Sequence, residues 1–325
     1  MQVRADKVSL LGQARRRFLG LSPAEASFAQ RGFRASDDEA RRRLEQIGIV
    51  FLSGYHAALE ESEFGPLAHR LAFVETELSG FAFEGAAMGL ALLDCFTPWR
   101  KDRWRTFTEG LGQPHVYMMH VGLGWALARL RRSVTSHLAQ LDPLLGWLMV
   151  DGYGFHEGYF NWPRYIERRE IPARLIGYEQ RVFDQGLGRS MWFVKGADVA
   201  AVVNTIKTFP SARRDDLWSG VGLACAYAGG CDRAAISSLR AAANRHLPSL
   251  AQGVAFAAKT RQRAGNLNPH TENICRLICG HSAEETAAIT DTALANLREE
   301  GGWQTYEVWR RRIQNKFALE VTRRS

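Results

Sequence analysis

No run of apolar residues in this chain approaches the roughly 18 that a bilayer crossing needs, and no proline-, glycine- or serine-rich tract interrupts it. The first absence argues against a membrane protein, and the second leaves no segment that must be read as a linker or as disordered. The amino-terminal stretch MQVRADKVSLLGQARRRFLG carries its charge after a short apolar run, which is not signal-peptide order. Cysteine is scarce: five residues, Cys95, Cys225, Cys231, Cys275 and Cys279, an odd number without framework spacing. That pattern fits a reducing compartment rather than a disulfide scaffold, so a soluble cytoplasmic protein is expected. Cys275 and Cys279 lie one helical turn apart, too few soft ligands for a structural zinc site, and read as buried thiols. Also missing are a Walker loop and a serine nucleophile elbow, which removes the common nucleotide hydrolases and α/β hydrolases.

What is present is an ordinary globular composition, 46% hydrophobic and 23% charged, in a chain of 325 residues with a formal charge of +8. The excess arginines (Arg15 to Arg17, Arg41 to Arg43, Arg131 and Arg132, Arg310 to Arg312) sit inside helical patterns beside acidic neighbours. They read as solvated helix faces, and no nucleic-acid partner is expected. Apolar positions recur at helical spacing over most of the chain, beginning with SDDEARRRLEQIGIVFLSGYHAALE, where Ser36 is the expected N-cap. Only SMWFVKG, 190–196, with RVF before it, has the look of a strand. The expected fold is mainly α, a single helical domain over 1–325, with a small strand or loop insertion at about 175–198.

The helices resemble one another. FLSGYHAAL…LSGFAFEGAA, MHVGLGWAL…VDGYGFHEGY and LWSGVGLAC…AQGVAFAAKT overlay so that Gly54, Gly122 and Gly220 correspond, as do Gly80, Gly152 and Gly253. Glycine inside a helix costs about 1 kcal/mol relative to alanine, so its recurrence points to close helix contacts. The overlay predicts tetratricopeptide-like helical hairpins at about 37–95, 117–162 and 211–262. It also sets Glu84, His156 and Ala257 in equivalent places, so that Glu84 and His156 would face one groove with His120 beside them.

DGYGFHEGYF, 151–160, concentrates the candidate chemistry. HEGYF begins like a zinc-protease motif, but Phe160 stands where the second histidine belongs. If Glu84, His120, His156 and Glu157 converge, they offer ligands suited to iron, manganese or zinc. Without a metal, the same four residues offer proton transfer between an imidazole and carboxylates. The plainer reading makes Asp151 a helix-start hydrogen-bonding group and His156 a satisfied core histidine. GLGRS, 186–190, lacks the third glycine of a dinucleotide loop and reads as a turn. FPSARRDDLWSG offers Ser211 as an N-cap with Arg213, Arg214 and Asp215 as an ion-pair network or an anion site. Phe81, Phe83, Met88, Met118, Trp125, Tyr153, Phe155, Tyr159, Phe160, Trp192 and Trp218 supply an apolar groove that suits an elongated or conjugated ligand better than a sugar.

GFAFEGAAMGLALLD, YMMHVGLGWALARL, DPLLGWLMVDGYGFHEGYF, FDQGLGRSMWFVKGADV and FPSARRDDLWSGVGLACAYAGG resemble, in this order, the UnbL-type proteins. These are a bacterial family of unknown function encoded in enediyne polyketide gene clusters beside the iterative polyene synthase. The resemblance runs from about residue 10 to 320 and implies a part in turning a linear polyene into the enediyne core. It carries no assigned catalytic residue. The matching polar positions are Glu84, His120, Asp151, His156, Glu157, Asp184, Arg189, Asp198, Arg213, Arg214 and Asp215. On this reading Glu84, His120, His156 and Glu157 act on a hydrophobic polyene. Phe83, Trp125, Tyr153, Phe155, Tyr159, Trp218, Arg189 and Arg213 would bind it, in a cyclisation, isomerisation or dehydrogenation with no cofactor specified. The alternative is a non-catalytic helical scaffold or carrier for the polyketide synthase or a membrane oxidoreductase.

Overall fold

The computed structural model describes residues 9–97, 102–297 and 302–324, so the reading of the first eight residues lies outside it. The fold is mainly α, with no strand among the described residues. Seven long helices follow one another in space as in sequence: α1 (Asp38–Glu60), α2 (Ser79–Phe96), α3 (Val116–Arg129), α4 (Trp147–Phe160), α5 (Tyr178–Val194), α6 (Ser211–Ala228) and α7 (Leu247–Ala264). Two more, α8 (Ala283–Leu294) and α9 (Trp303–Arg324), pack on α7.

Local chemistry sets the ends. Asp37, not Ser36, caps α1 by accepting from the amides of Glu39 and Ala40, with Asp38 and Glu39 in the first turn favoured by the helix dipole. Ser282 and Glu285 form a capping box on α8. Helix α6 stops at Gly229 (φ +78°) and α7 at Gly265 (φ +66°), conformations that only glycine adopts without strain. Ser211 is the first residue of α6 rather than its cap.

Consecutive long helices run parallel. From α5 to α6 the contacts advance together, Asp184 with Arg213, Gln185 with Ser219, Trp192 with Gly229. From α6 to α7 they do the same, Asp215 with His246, Ser219 with Gln252, Tyr227 with Arg261. The chain returns between them through short helices such as Phe64–Ala72, Val199–Lys207 and Arg233–Ala243. The recurring unit is therefore one long helix plus its return segment. The pairs of helices overlaid as hairpins at 117–162 and 211–262 are successive parallel neighbours.

The glycines make this approach possible. HVGLGW, VDGYGF, DQGLGR and WSGVGL place two glycines two residues apart on α3 to α6, one for each neighbouring helix. A Cβ on Gly124 would collide with α4, on Gly152 with α3, on Gly154 with α5, on Gly188 with α6 and on Gly222 with α7. Backbone contact at this range leaves no room for even a methyl group. The overlay misplaced one register: Gly85 and Gly89, not Gly80, are the α2 glycines that meet α1, whereas a Cβ on Gly80 would strike Tyr227. It also missed α5 altogether. SMWFVKG and GLGRS, expected as strand and turn, lie within or at the end of that helix, whose residues 182–194 are buried. A short fully buried apolar run has no periodicity to tell helix from strand.

The array bends back on itself. Arg261, at the end of α7, donates to the carbonyls of Tyr227 and Glu77, and Arg43 of α1 donates to Ala228 at the end of α6. Thr76–Phe96, which contains α2, is long and apolar enough to cross a membrane, contrary to the expectation that no such run exists, but 78% of its apolar window is buried inside the protein. It is apolar all round because it is flanked by α1 and α3 and faces the interior. Cys275 and Cys279 are buried, as expected, and burial pushes the Cys275 thiol up to about 12.

Candidate functional site

Inside the curl, α1 to α5 converge on an aromatic chamber walled by Phe51, Phe81, Trp125, Phe155, Tyr159 and Phe193. Trp125 lies at its middle, its ring 4.4 Å from that of Phe51 and 5.1 Å from that of Phe155. The segment Leu21–Ala26 crosses the chamber as a strap. It is held by Tyr159 Oη donating to the Glu25 carbonyl (3.0 Å) and by the Leu21 amide donating to His56 Nε2 (3.3 Å). With the strap in place, the chamber is a partly open pocket with only about 40 Å³ of free space, room for a few water molecules at most.

Its floor is charged. Glu84 of α2 is 2% exposed and accepts a 3.0 Å hydrogen bond from Trp125 Nε1. Arg189 of α5 lies 3.9 Å from Glu84, pairs directly with Asp151 and rests over the Phe155 ring. Burial pushes the Glu84 carboxyl up to about 7, against the opposing pull of Arg189 and the Trp125 hydrogen bond. A carboxyl with that affinity gives or takes a proton near neutrality, beside a fixed positive charge. Beyond Arg189 lies a second space of about 30 Å³, lined by Asp151, Tyr227 and Trp309 among others. The buried Tyr227 hydroxyl has no hydrogen-bond partner.

Glu84 belongs to a series the overlay misassigned. In the register set by Gly85, the residue before the glycine that meets the preceding helix is Glu84, Val121, Asp151, Gln185, Ser219 and Gln252 on α2 to α7. The counterpart of Glu84 is thus Asp151, not His156. The last four form a ladder: Gln185 Nε2 donates to Asp151 (2.7 Å), and the Ser219 hydroxyl to Gln252 (2.8 Å). Asp151 is a fully buried ion-pair partner, not a helix-start cap. Arg310, expected on a solvated face, is 1% exposed and pairs with Asp216 while donating to Gln252.

The other three proposed catalytic residues do not join Glu84. His156 reaches the same indole from another side, edge-on to Trp125 at 5.6 Å and 4.7 Å from Phe160. Its Nδ1 is buried without a partner, so it is not the satisfied histidine of the plainer reading. Burial, helped by Arg129 and Arg31, drives its pKa down to about 3, and the ring is neutral. His120 donates from Nδ1 to the Val116 carbonyl (2.8 Å) and packs edge-on against Trp104, outside the chamber. Glu157 accepts from Asn161 (2.8 Å) and feels Arg174, Arg164 and Arg131. The convergence of Glu84, His120, His156 and Glu157 on a metal is therefore not realised. No group of three His, Cys, Asp or Glu side chains suited to a metal occurs among the described residues.

Of the proposed binding residues, Trp125, Phe155, Tyr159 and Arg189 line the chamber. Phe83 instead stacks on His115 (4.1 Å), Tyr153 is buried beside Glu157, Trp218 stacks on His246, and Arg213 is engaged by Asp184. Arg214 ties down the carbonyls of Phe209 and Lys207, and Asp215 meets His246, the ion-pair and capping alternative. Sequence reasoning missed Phe51, Phe193 and the strap. The signal was faint: Phe51 and Phe193 sit in apolar runs that read as generic core.

Together these features define a class: an all-helical protein whose curled array closes around an aromatic chamber floored by a titratable carboxyl and an arginine. The chain belongs to DUF1702, a family described as proteins of unknown function, whose model matches residues 10–317. No curated protein and no solved structure matches it.

Proposed function

We propose that the protein binds an elongated, conjugated hydrocarbon chain in the aromatic chamber, with Glu84 moving a proton on it, as a step in enediyne-type polyketide biosynthesis. The observation that carries this reading is the Glu84 carboxyl, buried against Trp125 in an aromatic enclosure with a pKa of about 7. Aromatic faces suit a planar π system, Arg189 stabilises negative charge that develops as a proton leaves, and water exclusion strengthens both effects. A chain of this kind needs far more than 40 Å³, so binding requires the Leu21–Ala26 strap to lift. The ties to be released are the Tyr159 and His56 hydrogen bonds and the Glu25–Arg31 ion pair at 2.9 Å.

The test titrates the purified protein with a linear conjugated polyene while following its tryptophan fluorescence, in wild type and in Trp125→Phe, alongside product formation in producing cells carrying Glu84→Gln. Saturable quenching that Trp125→Phe diminishes, with loss of product in Glu84→Gln, supports an enzyme. Binding without any effect of Glu84→Gln on product indicates a carrier. No binding overturns the reading.

One observation favours the scaffold alternative. A wider, open concavity of about 1070 Å³ lies away from the chamber, where Asp37, Glu39, Glu77, Asp198 and Asp232 outnumber Arg43 around the starts of α1 and of the helices Val199–Lys207 and Arg233–Ala243. An acidic groove on a protein of formal charge +8 suits a cationic protein segment.

A further inference from the structure

Cys225 and Cys231 bring their sulfurs to 3.8 Å, within van der Waals contact. Cys225 sits in the last turn of α6 and is fully buried, whereas Cys231 is half-buried and lines the wall of the open groove. Between them Gly229 (φ +78°) and Gly230 (φ +92°) make a left-handed turn that folds the chain back on itself. A disulfide needs the sulfurs at about 2.05 Å, and each sulfur can turn toward the other about its own Cα–Cβ bond. The site is independent of the chamber and of the function proposed for it.

We propose that Cys225 and Cys231 are a redox modification site, converted by a hydroperoxide entering through the groove into an intrachain disulfide. The Cys231 thiolate attacks the peroxide oxygen, the O–O bond breaks, and one water or alcohol leaves, giving a sulfenic acid at Cys231. The Cys225 sulfur then displaces the sulfenic oxygen as water, and the S–S bond forms. Overall two thiols are oxidised, the hydroperoxide is reduced, and the two thiol protons leave in the products. The order follows from access. Contact with Cys231 and burial push the Cys225 thiol well above the ordinary cysteine range, so it waits as the resolving partner. The bridge pins the Gly229–Gly230 turn and joins the end of α6 to the start of the Arg233–Ala243 helix, which forms part of the groove wall.

The experiment treats the folded full-length protein with hydrogen peroxide, blocks remaining thiols and maps tryptic peptides by mass spectrometry. Cys225 and Cys231 share the peptide Asp215–Arg233. The expected result is a loss of two hydrogen atoms from that peptide, reversed by a reductant, before Cys95, the other half-buried thiol, is modified. Cys225→Ser is expected to stop at a sulfenic acid on Cys231 that dimedone traps. Oxidation of Cys95 with the 215–233 peptide unchanged overturns the proposal, as does direct progression of wild-type Cys231 to sulfinic acid. The wild-type arm decides the matter if the variant does not fold.

Discussion

Arg310 and Arg189, two of the buried arginines, have different surroundings. Arg310 is fully matched: Asp216 at 2.7 Å, Tyr178 and Gln252 at 3.3 Å, with Glu307 3.8 Å away. Arg189 pairs with Asp151 but leaves Glu84 at 3.9 Å across a cavity edge. The nearby carboxyls register the contrast. Burial pushes both Glu307 and Glu84 up. Around Glu307, hydrogen bonds from Tyr178 and Arg181 and the charges of Arg310 and Arg181 outweigh it and hold the group below its ordinary 4.5. Around Glu84 a single indole and a distant guanidinium do not. A buried charge that is fully hydrogen-bonded specifies structure, whereas one left short of partners beside free space is poised to interact with something else.

The largest effect expected from this contrast is on stability. Arg310→Met should cost about 3–5 kcal/mol in denaturant unfolding, the range for stripping one partner from a buried ion pair. Arg189→Met should cost less, since Asp151 keeps Gln185 and Glu84 can hold a proton. Equal losses would mean that the two nodes are alike.

Next comes pH. Because the Glu84 pKa rises from 4.5 to about 7 on folding, the folded state holds a proton that the unfolded state releases, so wild-type stability falls as pH rises through that window. Glu84→Gln should remove the slope and gain up to about 3 kcal/mol over wild type above pH 7. Glu307 has the opposite sign: its lowered pKa stabilises above 4.5, and that contribution is lost on acidification. Glu307→Gln should therefore lose stability at neutral pH. Parallel pH profiles for the two variants would contradict the assignment.

The smallest effect is the most local. Trp125→Phe removes the hydrogen bond from the indole to Glu84 and should cost about 0.5–1.5 kcal/mol while raising the carboxyl's titration further, read by carbon-13 NMR of labelled glutamate. An unmoved Glu84 titration would show that the indole does not hold the carboxylate.

The glycines and the apolar spacing made the helices legible. The motif VDGYGF marks a helix squeezed between two others whatever else the chain does, since a residue with so little helix propensity is kept there only for contact. Placing Glu84 among the candidates was also within reach, as a lone carboxylate in an apolar stretch has to be buried. Its partner was not. The overlay chose His156 because it aligned Gly80 with Gly152, and a shift of a few residues along a helix turns a side chain to another face. Arg310 looked like one of three surface arginines for the same reason: in RRRIQ, neighbours point about 100° apart, and only packing against α7 says which one goes inside.

The sequence by itself determined that the chain is helical and, through its recurring glycines, that its helices pack closely, because period and residue size are properties of the local chain. Which carboxyl is left half-partnered in an aromatic chamber, and which is neutralised, was decided only by the tertiary structure. Desolvation and the count of donors around a buried charge depend on residues far apart in sequence, and the parallel stacking of seven helices brings them together.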